Sequence, residues 1–170
     1  MSMTETGLRL KGGPLQRGLN LPLSTRTVLV TLDTLRSVLG VDADSILAKV
    51  EAGELRWVFN VAVGDDVREL RFWAKELIAP EFVTNLTIKQ AIAEILGSQR
   101  ARWRGTEIAQ LLLVSRPTIM RLVNTEELPG DVIGGVIQVP RASLEKFLLA
   151  RLLNGSGSER EFAQTKGGQS

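Results

Sequence analysis

One polar helix face carries side chains that can hydrogen-bond to the edges of base pairs. Between Ser115 and Thr125, the residues Ile119, Leu122 and Val123 recur at helical spacing and predict a buried side. The opposite side holds no acidic residue and comprises Pro117, Thr118, Arg121, Asn124 and Thr125, with Arg116 beside them at the start. In the major groove of DNA, arginine pairs with guanine and asparagine with adenine. The pattern predicts a base-reading helix over 116–125; a solvated face carrying two arginines is the alternative.

A second group of cations precedes this segment. In "SQRARWRG" (98–105), Arg100, Arg102 and Arg104 alternate around Trp103. Arginines of this kind contact phosphates, which contributes salt-dependent affinity rather than sequence reading. The alternative is a solvated loop in which Trp103 fills the core between two blocks.

The composition argues against catalysis. The 170 residues include no histidine, cysteine or tyrosine. The commonest general base, the commonest transition-metal ligand and thiol chemistry are therefore missing. The adjacent acids Asp65-Asp66 have no base or phosphate-binding loop beside them in sequence. We expect a binding protein, not an enzyme, with no cofactor and no metal.

The charge is distributed unevenly along the chain. Residues 98–153 hold 8 basic and 5 acidic side chains, whereas residues 24–82 hold 7 and 10. An anionic partner is expected to meet the second half and the basic N-terminal arm. No apolar run approaches the roughly 20 residues that span a bilayer, and no signal peptide is recognisable. We expect no membrane association and a cytoplasmic location.

The chain divides into five segments. Residues 1–26, broken by Gly and Pro, are expected to form a flexible basic arm, and 154–170 a disordered tail. Two blocks, 27–80 and 100–153, lie between them and are joined by a predicted connecting helix over 81–99.

The two blocks resemble each other. Shifted by 73 residues, 35–55 lies over 108–128 without a gap, and 6 of the 21 positions are identical. Apolar positions match and polar positions diverge, as expected when one scaffold is used twice. Chance similarity between amphipathic helices is the alternative.

Each copy is predicted to form a helix, a tight turn, a second helix and a β-hairpin. Gly40 can end the first helix of copy one, and Asp42 and Ser115 can cap the second helices. Gly134-Gly135 is typical of a two-residue hairpin turn. The predicted fold class is mainly α with small β-hairpins.

Residues 104–152 resemble the excisionase or MerR-like family of winged helix-turn-helix DNA-binding domains. The resemblance rests on "TEIAQLLLVSRPTIMRLVNTEELP", a β-hairpin and "VPRASLEKFL", and covers under a third of the chain. It implies sequence-dependent binding to duplex DNA, with the second helix in the major groove and the wing on the backbone or minor groove. By the same resemblance, Arg116, Thr118 and Arg121 would contact DNA, Ser115 could reach a phosphate, and Arg141 would lie near the base of the wing.

The sequence departs from the family pattern in two places. The family usually has glycine where Leu113 stands, so we expect the turn to be strained or slightly reshaped. Its wing tip is usually basic, but here it is Gly134-Gly135-Val136, where Gln138 alone offers a polar side chain.

Copy one lacks the cationic helix start of copy two. Its second helix begins Asp42-Ala43-Asp44, and carboxylates would repel a phosphate backbone. We expect copy one to be structural, to dimerise or to bind another protein. The alternating Trp57, Phe59 and Val61 of its hairpin favour either pairing with a partner strand or burial against its own helices.

The sequence therefore predicts tandem winged helix-turn-helix units in a bacterial-type, sequence-specific double-stranded DNA-binding protein, associated with the nucleoid. Transcriptional regulation and excisionase-like recombination or maintenance all fit. The alternative is a protein-interaction module, an antitoxin or adapter, that keeps the scaffold with weak DNA binding.

Overall fold

The computed structural model describes residues 28–64, 68–97 and 100–153. The described residues are about half helical, with two small antiparallel sheets of three strands each. The predicted arm (1–26), the predicted tail (154–170) and Asp65-Asp66 lie outside the described residues.

The first unit, residues 28–78, places two helices on one face of a sheet. Its strands are ordered β1-β3-β2. The elements are β1 (Leu29–Thr31), α1 (Leu32–Leu39), α2 (Ala43–Glu51), β2 (Val58–Asn60) and β3 (Leu70–Trp73), followed by the short helix α3 (Ala74–Ile78).

Local capping chemistry sets the helix ends of this unit. The Thr31 hydroxyl accepts a hydrogen bond from the Thr34 amide at 3.1 Å and starts α1. Gly40, at φ 65°, ends it in the left-handed region. The Asp42 carboxylate accepts from the Ser45 amide at 2.8 Å and starts α2. Hydrogen bonds from the Ser45 side chain and the Ser45 amide lower the pKa of Asp42, because they favour its charged form.

The second unit, residues 100–153, has the same order of elements. Its strands are ordered β4-β6-β5. The elements are β4 (Arg102–Arg104), α6 (Gly105–Leu112), α7 (Arg116–Asn124), β5 (Asp131–Ile133) and β6 (Val136–Pro140), followed by α8 (Arg141–Arg151).

The β5–β6 hairpin closes through the two-residue turn that the sequence predicts. Ile133 pairs with Val136, so Gly134 and Gly135 form the loop. Their φ values of 58° and 78° match a type I′ turn, which side chains other than glycine, asparagine and aspartate rarely adopt.

The fold class differs from the prediction in its β content. A strand that the sequence patterns did not indicate precedes each first helix and turns each hairpin into a three-stranded sheet. The fold is therefore mixed α/β rather than mainly α. These strands are only three residues long, too short to show alternation against the flanking sequence.

The first four elements of the two units begin 73 residues apart. This spacing relates β1 to β4, α1 to α6, α2 to α7 and β2 to β5. The left-handed residues follow the same spacing, since Gly40 and Gly53 correspond to Leu113 and Glu126.

The connection between the units contains two helices instead of the single connecting helix predicted over 81–99. They are α4 (Pro80–Thr84) and α5 (Ile88–Leu96). Helix α5 begins after Thr87. The Thr87 hydroxyl accepts a hydrogen bond from the Gln90 amide at 3.1 Å, and the Gln90 side chain accepts one from the Thr87 amide at 2.9 Å. This capping box begins a new helix.

The two units share a core. One face of the first sheet, including Val30, Val58 and Phe72, packs against α1 and α2. The other face, including Leu29, Phe59 and Trp73, belongs to the same apolar cluster as the interior of the second unit. Burial on both faces of this sheet joins the units into one body.

The β2 edge is covered by the two residues that follow α8. The Leu153 amide donates to the Val58 carbonyl at 2.8 Å, and Phe59 forms a bridge with Leu152. Trp57, Phe59 and Val61 are fully buried. The first hairpin is therefore neither an open edge nor packed only on its own helices, and the partner-strand interpretation is wrong for this edge.

Candidate nucleic-acid interface

Helix α7 begins with the cap that the sequence predicts. The Ser115 hydroxyl lies 2.8 Å from the Thr118 hydroxyl and accepts from the Thr118 amide at 3.3 Å. Pro117 occupies the first turn, where its missing N–H costs no helical hydrogen bond. This cap fixes the direction in which the helix leaves the turn.

The helix has one buried face and one exposed face. Ile119, Leu122 and Val123 are buried, as expected from their spacing. Arg116, Arg121 and Asn124 are exposed, with Ser115 and Pro117, while Thr118 is half-buried. The structure therefore presents the predicted polar residues on a single solvent-facing side.

The cations on this face have no acidic partner in the part of the chain that the structure describes. Arg116 and Arg121 form no ion pair with any described residue. No acidic residue lies within α7. Both guanidinium groups thus keep their donors directed to solvent and available to an anionic or acceptor-rich ligand.

Strand β4 adds two more exposed cations. Arg102 and Arg104 are exposed, whereas Trp103 between them is buried. The register with β6 places Arg104 opposite Gln138, which is half-buried. Neither arginine forms an ion pair within the described part of the chain. The two arginines line the outer face of the second sheet, since residues on either side of a strand residue share a face.

Arg100 and Arg141 differ from Arg102 and Arg104 because each has an acidic partner among the described residues. Arg100 forms an ion pair with Glu107 and lies 4.9 Å from the Trp103 ring centroid. The Arg141 side chain is 17 % exposed and reaches Glu145 at 4.0 Å. Both positive charges already have an acidic partner within the protein, and the phosphate contacts predicted for them stay predictions.

The β5–β6 hairpin, the wing, is apolar at its tip. Val132, Ile133 and Val136 are 48 %, 56 % and 41 % exposed. Asp131 pairs with Gln138 across the ladder and contributes an acid to the same sheet face. The wing therefore offers apolar contact rather than cations, in agreement with the sequence.

The turn between α6 and α7 is strained at the predicted position. Leu113 has φ 55° and ψ 46°, the left-handed region that glycine adopts without penalty. Its side chain is 41 % exposed. The turn keeps its shape although the residue there disfavours it.

Sequence reasoning missed the residue that contacts this turn. The Arg71 guanidinium, on β3 of the first unit, donates from Nε to the Leu112 carbonyl at 2.7 Å and from Nη2 to the Leu113 carbonyl at 2.8 Å. Arg71 is 7 % exposed. Burial lowers the pKa of this guanidinium, and the nearby Glu69 carboxylate opposes that effect. In sequence it is one arginine inside an apolar strand, with no pattern to indicate a partner 42 residues away.

A second contact joins the segment after α7 to the first unit. Arg151 forms an ion pair with Glu127 and donates to the Ala62 carbonyl at 2.6 Å. Glu127 also accepts from the Gly64 amide at 3.3 Å and the Thr125 hydroxyl at 3.0 Å. Burial raises the pKa of Glu127, but these hydrogen bonds and Arg151 outweigh it and hold the pKa below its ordinary value.

Comparison with known proteins assigns the second half to a domain class. Residues 106–152 match the family model of the helix-turn-helix domain. No curated protein and no solved structure matches the chain. The second half thus carries a helix-turn-helix domain of the kind that binds DNA, with α6 and α7 as its two helices.

The described residues contain neither a metal-binding cluster nor a membrane-spanning helix. No cluster of three or more acidic, histidine or cysteine side chains there could hold a metal ion. None of the helices in the described ranges is both long and apolar enough to cross a membrane.

Proposed function

We propose that the protein binds double-stranded DNA in a sequence-specific manner, with α7 in the major groove. The observation that carries this proposal is the exposure of Arg116 and Arg121, which pair with no described acid, on the outer face of a helix that lies within a helix-turn-helix domain. The N-terminal residues of such a helix contact base edges, and arginine is the commonest reader of guanine.

The exposed residues take different roles. Arg116 and Arg121 read base edges, with Asn124 one turn further along the helix. Ser115 and Thr118 shape the helix start, since their hydroxyls contact each other at 2.8 Å. Pro117 is exposed between them and limits how closely the first turn approaches the groove wall.

Arg102 and Arg104 are proposed as phosphate contacts. They precede α6 directly, are exposed and lie on the outer sheet face. Such contacts give affinity and orientation without reading sequence. Gln138, opposite Arg104, is the polar contact that the wing can add, whereas Arg100 and Arg141 act within the protein.

The first unit is proposed as a degenerate winged helix-turn-helix copy with a structural role. The shared order of elements, the 73-residue spacing and the matching left-handed positions support a repeat. Its α2 begins beside Asp42 and Asp44, both near the helix start that would face phosphates. Those carboxylates oppose DNA binding by that helix.

The biological role that we propose is transcriptional regulation or excisionase-like recombination or maintenance, in the cytoplasm at the nucleoid. The test is selection of bound sequences from a random duplex pool by the full chain. A shared motif recovered over several rounds supports the proposal. Recovery of unrelated sequences, or of none, contradicts sequence-specific binding.

The apolar wing favours a second candidate, a protein-interaction module of the antitoxin or adapter type. Val132, Ile133 and Val136 form an exposed apolar tip. In that case an Ile133→Ser variant loses its protein partner while duplex affinity stays negligible in both proteins. Under the DNA proposal, duplex binding is measurable in the wild-type protein and collapses as salt is raised.

A further inference from the structure

A buried side chain of the first unit, Arg71, contacts the turn between α6 and α7. Arg71 bonds to the two consecutive carbonyls, those of Leu112 and Leu113, at which α6 ends. Leu113 is the left-handed residue of the turn, and Ser115, two residues later, caps α7. A change in the Leu113 backbone would therefore alter the direction of α7, the proposed recognition helix.

The chemistry of this contact requires arginine. A buried charge is tolerated only when its donors find acceptors, and Arg71 bonds also to the Leu70 carbonyl at 2.9 Å and the Glu69 carboxylate at 3.4 Å. The planar guanidinium presents donors at fixed separations and can span two carbonyls. Lysine donates from a single nitrogen and cannot reproduce that fork.

We propose that Arg71 is a positioning residue that holds the α6–α7 turn in its left-handed conformation and thereby orients α7. Its consequence for DNA recognition rests on the proposed function. The contact compensates for the missing glycine at position 113, because a side chain disfavours the left-handed region. The first unit thus supports the recognition helix without touching DNA.

The far end of α7 is held by the same unit, which supports this role. The Thr125 hydroxyl, at the helix C-cap, bonds to Glu127, and Glu127 pairs with Arg151 and accepts from Gly64 of the first unit. Both ends of the recognition helix are therefore attached to the first unit through hydrogen-bonded charged groups.

The first arm of the test measures the turn without DNA, by amide hydrogen exchange in Arg71→Met, Leu113→Gly and the double variant. The reporters are the Val114 amide, bonded to the Ala109 carbonyl at 3.0 Å, and the Thr118 amide, bonded to Ser115. In Arg71→Met we expect both to exchange about tenfold faster than in the wild type, since local opening follows local stability. Leu113→Gly should restore most of that protection, because glycine needs no support there.

A stability-matched control separates positioning from general destabilisation. Val50 is buried in the cluster formed by α1, α2 and one face of the first sheet. Val50→Ala should lower the melting temperature without selectively exposing the turn amides. If Arg71→Met fails to fold, Arg71→Lys serves instead and should give an intermediate loss of protection.

The second arm measures the ratio of affinities for the selected duplex and a scrambled one. Arg71→Met should reduce this ratio about tenfold while leaving scrambled-duplex affinity unchanged, because phosphate contacts do not depend on helix direction. Leu113→Gly should restore the ratio. Unchanged exchange at Val114 and Thr118, or no rescue by glycine, overturns the positioning role. If the wild type does not discriminate between the duplexes, the proposed function fails, while the exchange arm still decides whether Arg71 holds the turn.

Discussion

Leu113 and Gly40 share one backbone conformation at equivalent positions of the two units. Their φ values are 55° and 65°, and each ends the first helix of its unit. Only one of the two residues suits that conformation. The unit with the exposed cationic helix therefore carries the strained turn, and that turn is the one contacted by Arg71.

Leu113→Gly should stabilise the protein. Glycine adopts the left-handed conformation without strain, which raises the free energy of unfolding. Its greater conformational freedom in the unfolded chain offsets part of this increase, so we expect a net gain of about 1 kcal/mol. Urea unfolding, followed by fluorescence of the buried Trp57, Trp73 and Trp103, measures the change.

Gly40→Ala is the matched control for that variant. No heavy atom lies within 4 Å of a Cβ built at Gly40, so the substitution changes backbone strain without a clash. It should destabilise the protein by about 1 kcal/mol. Equal effects of the same sign at both positions would contradict the strain argument.

Arg102→Ala should reduce the salt dependence of duplex binding. Loss of one phosphate contact lowers the slope of log K against log salt by about 0.9. Arg100→Ala removes the same charge from a side chain already paired with Glu107, so its slope should match the wild type. Titrations by fluorescence anisotropy at several salt concentrations measure both slopes. A larger loss in Arg100→Ala would reverse the assignment of the phosphate contacts.

Glu127→Gln should destabilise the protein by about 1 kcal/mol at neutral pH, because it loses a charge-assisted hydrogen bond to Arg151. The pKa of Glu127 is held below its ordinary value of 4.5, so its stabilising effect is complete above that pH. As the pH falls through the lowered pKa, the wild-type carboxyl is protonated and the difference from the variant should shrink. Denaturant unfolding at neutral and acidic pH tests this. A difference that is constant with pH would show that the charge of Glu127 contributes nothing.

Helix α7 could be predicted from sequence because its signals are local. Ser115, Pro117 and the spacing of Ile119, Leu122 and Val123 lie within nine residues and define both the helix start and its faces. The hairpin turn at Gly134-Gly135 was predictable for the same reason.

Long-range pairing could not be predicted. The strands β1 and β4 contain three residues each and become recognisable as strands only through their pairing with β3 and β6. Arg71 meets carbonyls more than 40 residues away, and Arg151 meets others about 90 residues away. The sequence also could not show which of Arg100 and Arg102 pairs with Glu107. Both belong to one alternating run of arginines, and only the fold brings Arg100 close to that carboxylate.

Binding of the pool-selected duplex by Arg121→Ala, compared with Arg36→Ala, tests the central claim most directly. Arg36 is an exposed arginine of the first unit that pairs with Asp33. Its replacement by alanine removes one positive charge, as Arg121→Ala does, but at a position outside α7. We expect Arg121→Ala to lose about 1–3 kcal/mol of affinity for the selected duplex and to relax the preference at one base pair, while Arg36→Ala binds as the wild type. Equal affinity of all three proteins for that duplex would contradict base reading by α7.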